Sequence, residues 1–201
     1  MDVAADQLHR FWRMLAHLQG QLFNASQLAM ALGGASHNTA IRYLGLLVDT
    51  MMVRRLEPFL VNTGKRLVKS PKTYIRDSGL VHALLNIASL SDLQGHPIVG
   101  ASWEGFVVEQ VAAHLPAGAE MGFYRTAAGA EMDIVVQMGS RRLALEVKFS
   151  AAPTVTKGFW QSVSDLRPTS SVVVAPVARR YPFRDGVEVV PVWDLPELLA
   201  P

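Results

Sequence analysis

The stretch EMDIVVQMGSRRLALEVK, residues 131–148, predicts a β-hairpin that decides the fold of the second half of the chain. Two alternating runs flank Gly139 and Ser140, a pair that suits a two-residue turn with glycine in its first position. Because side chains alternate along each strand, the register that this turn sets places Asp133 opposite Glu146. The other face is expected to be entirely apolar and carries Met132, Ile134, Val136, Leu143, Leu145, Val147 and Phe149.

The opposed carboxylates of Asp133 and Glu146 predict a metal site. Like charges that face each other across paired strands are destabilising unless something compensates, and a divalent cation would do so. Carboxylate oxygens suit Mg²⁺ or Mn²⁺. Lys148 follows on the same face, where its ammonium group could orient an attacking water or stabilise charge on a phosphate. The pattern favours metal-assisted phosphodiester hydrolysis; the alternative is an exposed face with incidental charges, including a simple Glu131–Lys148 pair.

The elements around this hairpin predict a mixed α/β domain over residues 90–201. A helical pattern near 102–115 precedes three strand-like runs, and a second helix near 156–166 precedes an apolar strand at 171–177. The expected order is αβββαβ, followed by a strand at 187–193 and a short helix from Asp194.

Residues 1–89 predict a separate winged-helix region. Helical patterns at 6–19 and 26–32 precede a third helix that Ser36 can cap. The apolar stripe expected on the third helix consists of Ile41, Leu44, Val48 and Met51. Strand-like runs at 52–60 and 66–76 flank a turn at 61–64 and would form the wing. A helix is expected at 80–88, and 89–100 is expected to be a connection between the two regions.

The charge distribution points to a polyanionic partner for the first region. Residues 1–78 contain ten Lys and Arg against five Asp and Glu, whereas the rest of the chain contains nine against twelve. A winged helix places its third helix in the major groove of DNA and its wing against phosphates. Besides Tyr43, the expected DNA contacts are Asn38, Arg42, Arg54, Arg55, Lys65, Arg66, Lys69 and Lys72. The alternatives are an ordinary solvated face, a spacer, or a surface for protein contacts such as a homo-oligomer.

Composition excludes several classes of function. The chain has 201 residues, of which 50% are hydrophobic and 18% charged, so it can bury a real core. It has no cysteine, which rules out disulfides, thiolate metal sites and a cysteine nucleophile. The six histidines lack the spacing of a zinc site, and no serine-hydrolase or dinucleotide motif occurs. An acidic start and the lack of a long apolar stretch predict a cytoplasmic protein with no membrane partner.

Asp133 with Glu146-x-Lys148 on adjacent strands, preceded by a helix with Glu104 in WEGFV, resembles the PD-(D/E)XK nuclease superfamily. Further stretches resemble, over nearly the whole chain, the domain at the C-terminus of many prokaryotic AAA+ ATPases. These are NTAIRYL (38–44), GKRLVKSPK (64–72), YIRDSG (74–79), GASWEGFV (100–107) and YRTAAGAEMD (124–133).

The resemblance implies a winged helix followed by a nuclease-like domain. In the superfamily pattern, Glu104, Asp133 and Glu146 are the acidic metal-site residues and Lys148 is the catalytic lysine. Members usually carry an ATPase module, but no phosphate-binding G-x-x-x-x-G-K-[ST] loop occurs in this sequence, so we expect no ATP hydrolysis. Two hypotheses follow: a DNA-binding protein with a Mg²⁺- or Mn²⁺-dependent nuclease site, or a catalytically silent module that binds DNA or docks an AAA+ ATPase.

Overall fold

The computed structural model describes residues 5–200, which form two compact units. The first comprises the described residues up to Arg55 together with Ser70–Gly105, and the second comprises Leu56–Lys69 and the described residues from Phe106 onward. These bounds differ from the predicted regions 1–89 and 90–201. The predicted mixed α/β class is confirmed, since helices accompany two sheets. None of the helices within 5–200 has the length and hydrophobicity needed to cross a bilayer.

The first unit is mainly helical. Its helices are α1 (Ala5–His17), α2 (Ala25–Ala31), α3 (His37–Asp49), α4 (Ser78–Leu84) and α5 (Leu90–Gly95), and its strands are β1 (Val53–Leu56) and β2 (Lys72–Ile75). The side chains of Asn24, Ser36, Asp77 and Ser89 each accept a backbone hydrogen bond at the start of a helix, as N-caps do. Ser89 thereby begins α5 inside the stretch expected to be a connection.

Helix α3 buries a different face from the expected one. Ala40, Tyr43, Leu44 and Leu47 are buried, whereas Ile41 is 48% exposed. The ring of Tyr43 packs edge-on against Phe11, with centroids 5.7 Å apart. Burying this large ring outweighs burying Ile41, so the helix is turned toward Tyr43. The prediction that Tyr43 contacts DNA is therefore wrong.

The second unit is built on a six-stranded sheet. Along the chain its strands are β3 (Glu120–Arg125), β4 (Glu131–Met138), β5 (Arg141–Val147), β6 (Ser170–Val174), β7 (Tyr181–Arg184) and β8 (Val187–Val190). Its helices are α6 (Val99–Ala113), which begins in the first unit, α7 (Lys157–Leu166) and α8 (Leu195–Leu199). The sheet order is β3-β4-β5-β6-β8-β7, with β3, β4 and β5 antiparallel and β6 parallel to β5. Strand β7, at the edge, was not predicted.

Strands β1 and β2, which lie within the two runs of the expected wing, pair with each other as a two-stranded sheet. The segment between them lies along β3 instead of protruding as a loop. The N–H of Phe59 donates to the carbonyl of Phe123 (2.6 Å), and the N–H of Phe123 donates to the carbonyl of Glu57 (3.1 Å). A Cβ on Gly122 would lie 2.7 Å from the carbonyl oxygen of Glu57, so this approach requires glycine. Backbone pairing with β3, which is distant in sequence, decides the conformation of this segment.

The predicted register of the hairpin is confirmed, from Met138 opposite Arg141 to Ile134 opposite Leu145. Strand β4 also has a bulge toward β3: Gly122 pairs with Val135, but Tyr124 pairs with Met132, so β4 holds one extra residue. The bulge places Met132 in a core cluster with Val135, Ala144 and Phe159 rather than on the expected opposite face.

Both faces of the hairpin are covered. Ile134 and Leu145 on one face and Val135 and Ala144 on the other are all inaccessible to solvent. The expected apolar face is thus confirmed for Ile134, Val136, Leu143 and Leu145, although Phe149 is 42% exposed. The alternative of an exposed charged face is wrong, because the hairpin lies inside the sheet and helix α7 packs on β4.

Candidate metal centre on strands β4 and β5

Asp133 and Glu146 are nearly buried acids on neighbouring strands of the second unit. Asp133 is 9% exposed and Glu146 is 6% exposed. The carboxylate of Asp133 accepts a hydrogen bond from the backbone N–H of Val147 (2.9 Å at Oδ2). The ammonium group of Lys148 donates to Oε1 of Glu146 at 2.6 Å. The structure thus brings Glu146 and Lys148 into contact and ties Asp133 to the residue between them.

The sheet explains why these side chains meet. The extra residue of β4 lies between Met132 and Val135, so Asp133 belongs to the bulge and turns away from the regular ladder. On the other side, Glu146 is paired with Val173 of the parallel strand β6, and the N–H of Lys148 donates to the carbonyl of Val174 (3.0 Å). Strand β5 therefore remains hydrogen-bonded to β6 as far as Lys148, whereas the neighbouring strand β4 is bulged at Asp133.

This donor set suits a hard divalent cation. Two carboxylates supply oxygen ligands, and Mg²⁺ uses one or two protein carboxylates and completes its octahedron with water and phosphate. Burying two neighbouring acids is costly without a compensating positive charge. Lys148 provides one such charge, 2.6 Å from Glu146. Asp133 and Glu146 would hold the ion. Within residues 5–200 no group of three or more His, Cys, Asp or Glu residues is arranged to hold a metal.

In the alternative interpretation Glu131 would pair with Lys148. Glu131 instead faces Arg125 across the β3–β4 pair, with 3.4 Å between Nη1 of Arg125 and Oε2 of Glu131. Lys148 therefore forms an ion pair with Glu146, and Glu131 forms one with Arg125 on the edge strand β3.

Glu104, the third predicted metal ligand, lies in the first unit and pairs there with Lys72 and Tyr74. Its Oε1 accepts from the lysine ammonium (3.1 Å) and from the tyrosine hydroxyl (2.5 Å). Lys72 is only 3% exposed, so its predicted contact with a DNA phosphate is not supported by the structure. Sequence reasoning missed Tyr74; a two-residue spacing places it and Lys72 on one face of β2, which is the signal that was available.

Gln19 forms hydrogen bonds with strand β2, the strand that carries Lys72 and Tyr74. Its side-chain amide donates to the carbonyl of Ile75 (3.2 Å) and accepts from the N–H of that residue (2.8 Å). A Cβ on Gly105 would lie 2.4 Å from Nε2 of Gln19, so a larger residue there would displace this hydrogen-bonded amide. Nothing in the sequence marked Gln19, because a glutamine near the end of an amphipathic helix is usually solvated.

The other predicted DNA contacts are divided between the units. Asn38 and Arg42 are exposed on α3 and Arg54 and Arg55 lie on β1, all in the first unit. Those in the second unit are Lys65, Arg66 and Lys69, which are exposed.

Lys65 forms an ion pair with Asp165, another acidic residue of the second unit. Its ammonium lies 2.6 and 2.7 Å from the two carboxylate oxygens. Tyr124 and Gln161 also donate to Asp165, at 2.8 and 3.0 Å. Burial acts to raise the pKa of Asp165, but hydrogen bonds from Lys65, Tyr124 and Gln161 lower it overall. Burial, and then the bond to Asp165, raise the pKa of Tyr124 to about 12.

The chain is 42% identical over 189 residues to uncharacterized protein Rv2008c of Mycobacterium tuberculosis and, to the same extent, to uncharacterized protein Mb2031c of Mycobacterium bovis. The match covers 94% of this chain but only 42% of each relative. Among solved structures, protein VC1899 from Vibrio cholerae aligns with 96% of this chain and 54% of its own, at 14% identity and a TM-score of 0.32.

Two family models match successive parts of the chain. Residues 2–91 match a domain of unknown function, DUF8612. Residues 99–195, which include Glu104 and the β4–β5 hairpin, match the domain of unknown function DUF4143, a domain type associated with AAA ATPases.

Proposed function

We propose that this chain is a DNA-binding protein with a Mg²⁺- or Mn²⁺-dependent nuclease site of the PD-(D/E)XK type. The observation that carries the proposal is the group formed by Asp133, Glu146 and Lys148: two nearly buried acids on adjacent strands, with an ammonium 2.6 Å from one of them. A group of this composition can hold a divalent cation and still present a positive charge to a phosphate.

The order of elements supports the proposal. Helix α6, the antiparallel strands β3, β4 and β5, helix α7 and the parallel strand β6 follow one another along the chain. This is the αβββαβ order in which the superfamily pattern places its acids on the second and third strands.

Each side chain has a distinct expected role. Asp133 and Glu146 would hold the cation, and the N–H of Val147 keeps the Asp133 carboxylate in place. Lys148, 33% exposed in its side chain, can donate a hydrogen bond to a phosphate oxygen while it remains beside Glu146. When bound, the cation would supply Lewis acidity and lower the pKa of a coordinated water.

Helix α3 supports the DNA-binding part of the proposal. Asn38 and Arg42 are four residues apart, so they share one face of the helix, and both are exposed. Asparagine and arginine are suited to base edges and phosphates. If α3 contacts DNA, Arg42→Ala weakens binding and reduces its salt dependence, because each lost phosphate contact lowers the slope by roughly one unit.

The direct test is DNA cleavage by the full chain with Mg²⁺ or Mn²⁺ and, separately, with a chelator. We expect plasmid or branched DNA to be cut only with the metal. Asp133→Asn and Glu146→Gln should each abolish cutting, since both changes keep the side-chain shape and remove the charge. Glu131→Gln is the matched control on the same strand and should cut like the wild type. Equal cutting by Asp133→Asn would overturn the assignment of the site.

A catalytically silent DNA-binding or ATPase-docking module is the second candidate. The ion pair between Lys148 and Glu146 favours it, because this pair already neutralises one buried acid. The AAA association of the second domain type also favours docking to an ATPase. This candidate predicts salt-sensitive DNA binding or binding to an ATPase module, with no metal-dependent cleavage under any of the conditions above.

A further inference from the structure

A polar cleft in the second unit lies at the turn end of the β4–β5 hairpin. It has a volume of about 730 Å³ and is bounded by residues 61–63, the hairpin and the C-terminal end of α7. Hydrogen-bonding side chains line it, among them Asn62, Ser140, Arg142, Ser164, Arg167 and Thr169. The size is that of a small-molecule site, and a lining this polar suits a charged ligand.

Arg142 is held in a fixed position inside this cleft. Its Nε donates to Oε1 of Gln137 (2.8 Å) and its Nη1 to the carbonyl of Leu166 (2.5 Å). The guanidinium also lies over the ring of Phe59, 5.2 Å from the centroid. Within residues 5–200 no protein group accepts a hydrogen bond from Nη2. One edge of an immobilised guanidinium is thus available to a ligand, as recognition of an oxyanion requires.

Arg167 adds a second guanidinium. It caps α7 in the left-handed conformation, with a φ of 46° and its N–H bonded to the carbonyl of Val163. Glycine or asparagine usually fills such a position, so arginine is unfavourable there for folding. Its side chain is exposed and, in the described part of the chain, has no ion-pair partner.

The acid in the lining does not cancel this charge. Asp165 lines the cleft, but both of its carboxylate oxygens accept hydrogen bonds, and the ammonium of Lys65 neutralises it. The two arginines therefore leave the cleft positive, with Ser140 and Ser164 as further hydrogen-bond donors.

We infer that this cleft binds a phosphate group through Arg142 and Arg167. The phosphate could be free or belong to a nucleic acid. The inference does not depend on the proposed nuclease site, because it uses other residues at the opposite end of the hairpin from Asp133.

The test is calorimetric titration of the full chain, at low salt, with inorganic phosphate and with a 5′-phosphorylated dinucleotide. Arg167→Gly removes the guanidinium and places the residue that suits the left-handed conformation, so the fold is kept. We expect it to weaken phosphate binding at least tenfold. Arg179→Ala, which removes an exposed arginine of the same unit outside the cleft, should bind like the wild type.

A dinucleotide that binds more tightly than phosphate would identify nucleic acid as the source, and equal affinities would identify a lone phosphate group; either supports the inference. Absence of phosphate binding by the wild type would overturn it. So would unchanged binding by both Arg167→Gly and Arg142→Lys.

Discussion

Each unit of this chain pairs a lysine with a largely buried glutamate, but the surroundings of the two pairs differ. In the first unit Glu104 accepts from the ammonium of Lys72 and the hydroxyl of Tyr74, so one acid has two donors. In the second unit Lys148 bonds to Glu146, while a second acid, Asp133, lies on the adjacent strand. The first pair joins one acid to two donors, whereas the second lies beside a further nearly buried acid.

The comparison separates an acid that serves the fold, Glu104, from acids that we propose serve a function, Asp133 and Glu146. Removing one partner of a buried ion pair is costly, because the other charge is then left buried and uncompensated. Two neighbouring buried acids repel each other, and a bound cation would relieve that repulsion. Asp165 shows that the second unit also contains a balanced acid, with Lys65, Tyr124 and Gln161 around it.

The largest effect is expected from breaking the balanced pair of the first unit. Lys72→Met would leave the carboxylate of Glu104 without its ammonium in a site where the lysine is almost wholly buried. We expect the free energy of unfolding to fall by about 3 kcal/mol, as for other buried pairs that lose one partner. Urea unfolding measures it. Lys157→Met, at an exposed position on α7, is the control and should change stability by less than about 0.5 kcal/mol. A similar small loss for Lys72→Met would contradict a structural role.

A smaller effect, of opposite sign, is expected at the two neighbouring acids Asp133 and Glu146. The amide oxygen of Asp133→Asn can still accept from the N–H of Val147, while one of two neighbouring negative charges disappears. We expect a gain of about 0.5 kcal/mol in the absence of divalent metal, the size of a like-charge cross-strand pair. Asp165→Asn is the matched control and should lose about 1 kcal/mol, because Lys65 needs the charge. If Asp133→Asn were as destabilising as Asp165→Asn, the distinction between the two acids would fail.

A pH-dependent change of stability is expected on acidification. The folded protein lowers the pKa of Asp165, so its ionised form stabilises the fold above the unfolded pKa of about 4. That contribution should disappear as the pH falls through the lower folded pKa. Unfolding of the wild type and Asp165→Asn, followed from pH 7 downward, should show a difference that shrinks below about pH 4. A constant difference would show that the charge of Asp165 is not the source of stability.

Local chemistry made the hairpin predictable from sequence. Gly139 and Ser140 fix the turn, the turn fixes the register, and the register places Asp133 and Glu146 on adjacent strands. The contact between Lys148 and Glu146 follows from their two-residue spacing on one strand.

Features that depend on distant partners were not predictable. The bulge at Asp133 arises in the pairing of β4 with β3, a strand outside the hairpin. The segment between β1 and β2 pairs with the same strand, β3. The buried side of α3 depends on Phe11, which lies in another helix. The pairing of Glu104 with Lys72 and Tyr74 joins α6 to β2, and no sequence spacing relates them.

The measurement that tests the account most directly is a calorimetric titration of the full chain with Mn²⁺, for the wild type beside Asp133→Asn, Glu146→Gln and Glu131→Gln. We expect a single ion to bind the wild type and Glu131→Gln alike, and binding to be lost in the other two variants. No binding to the wild type, or equal binding to Asp133→Asn and Glu146→Gln, would contradict the claim that these two acids form a metal site.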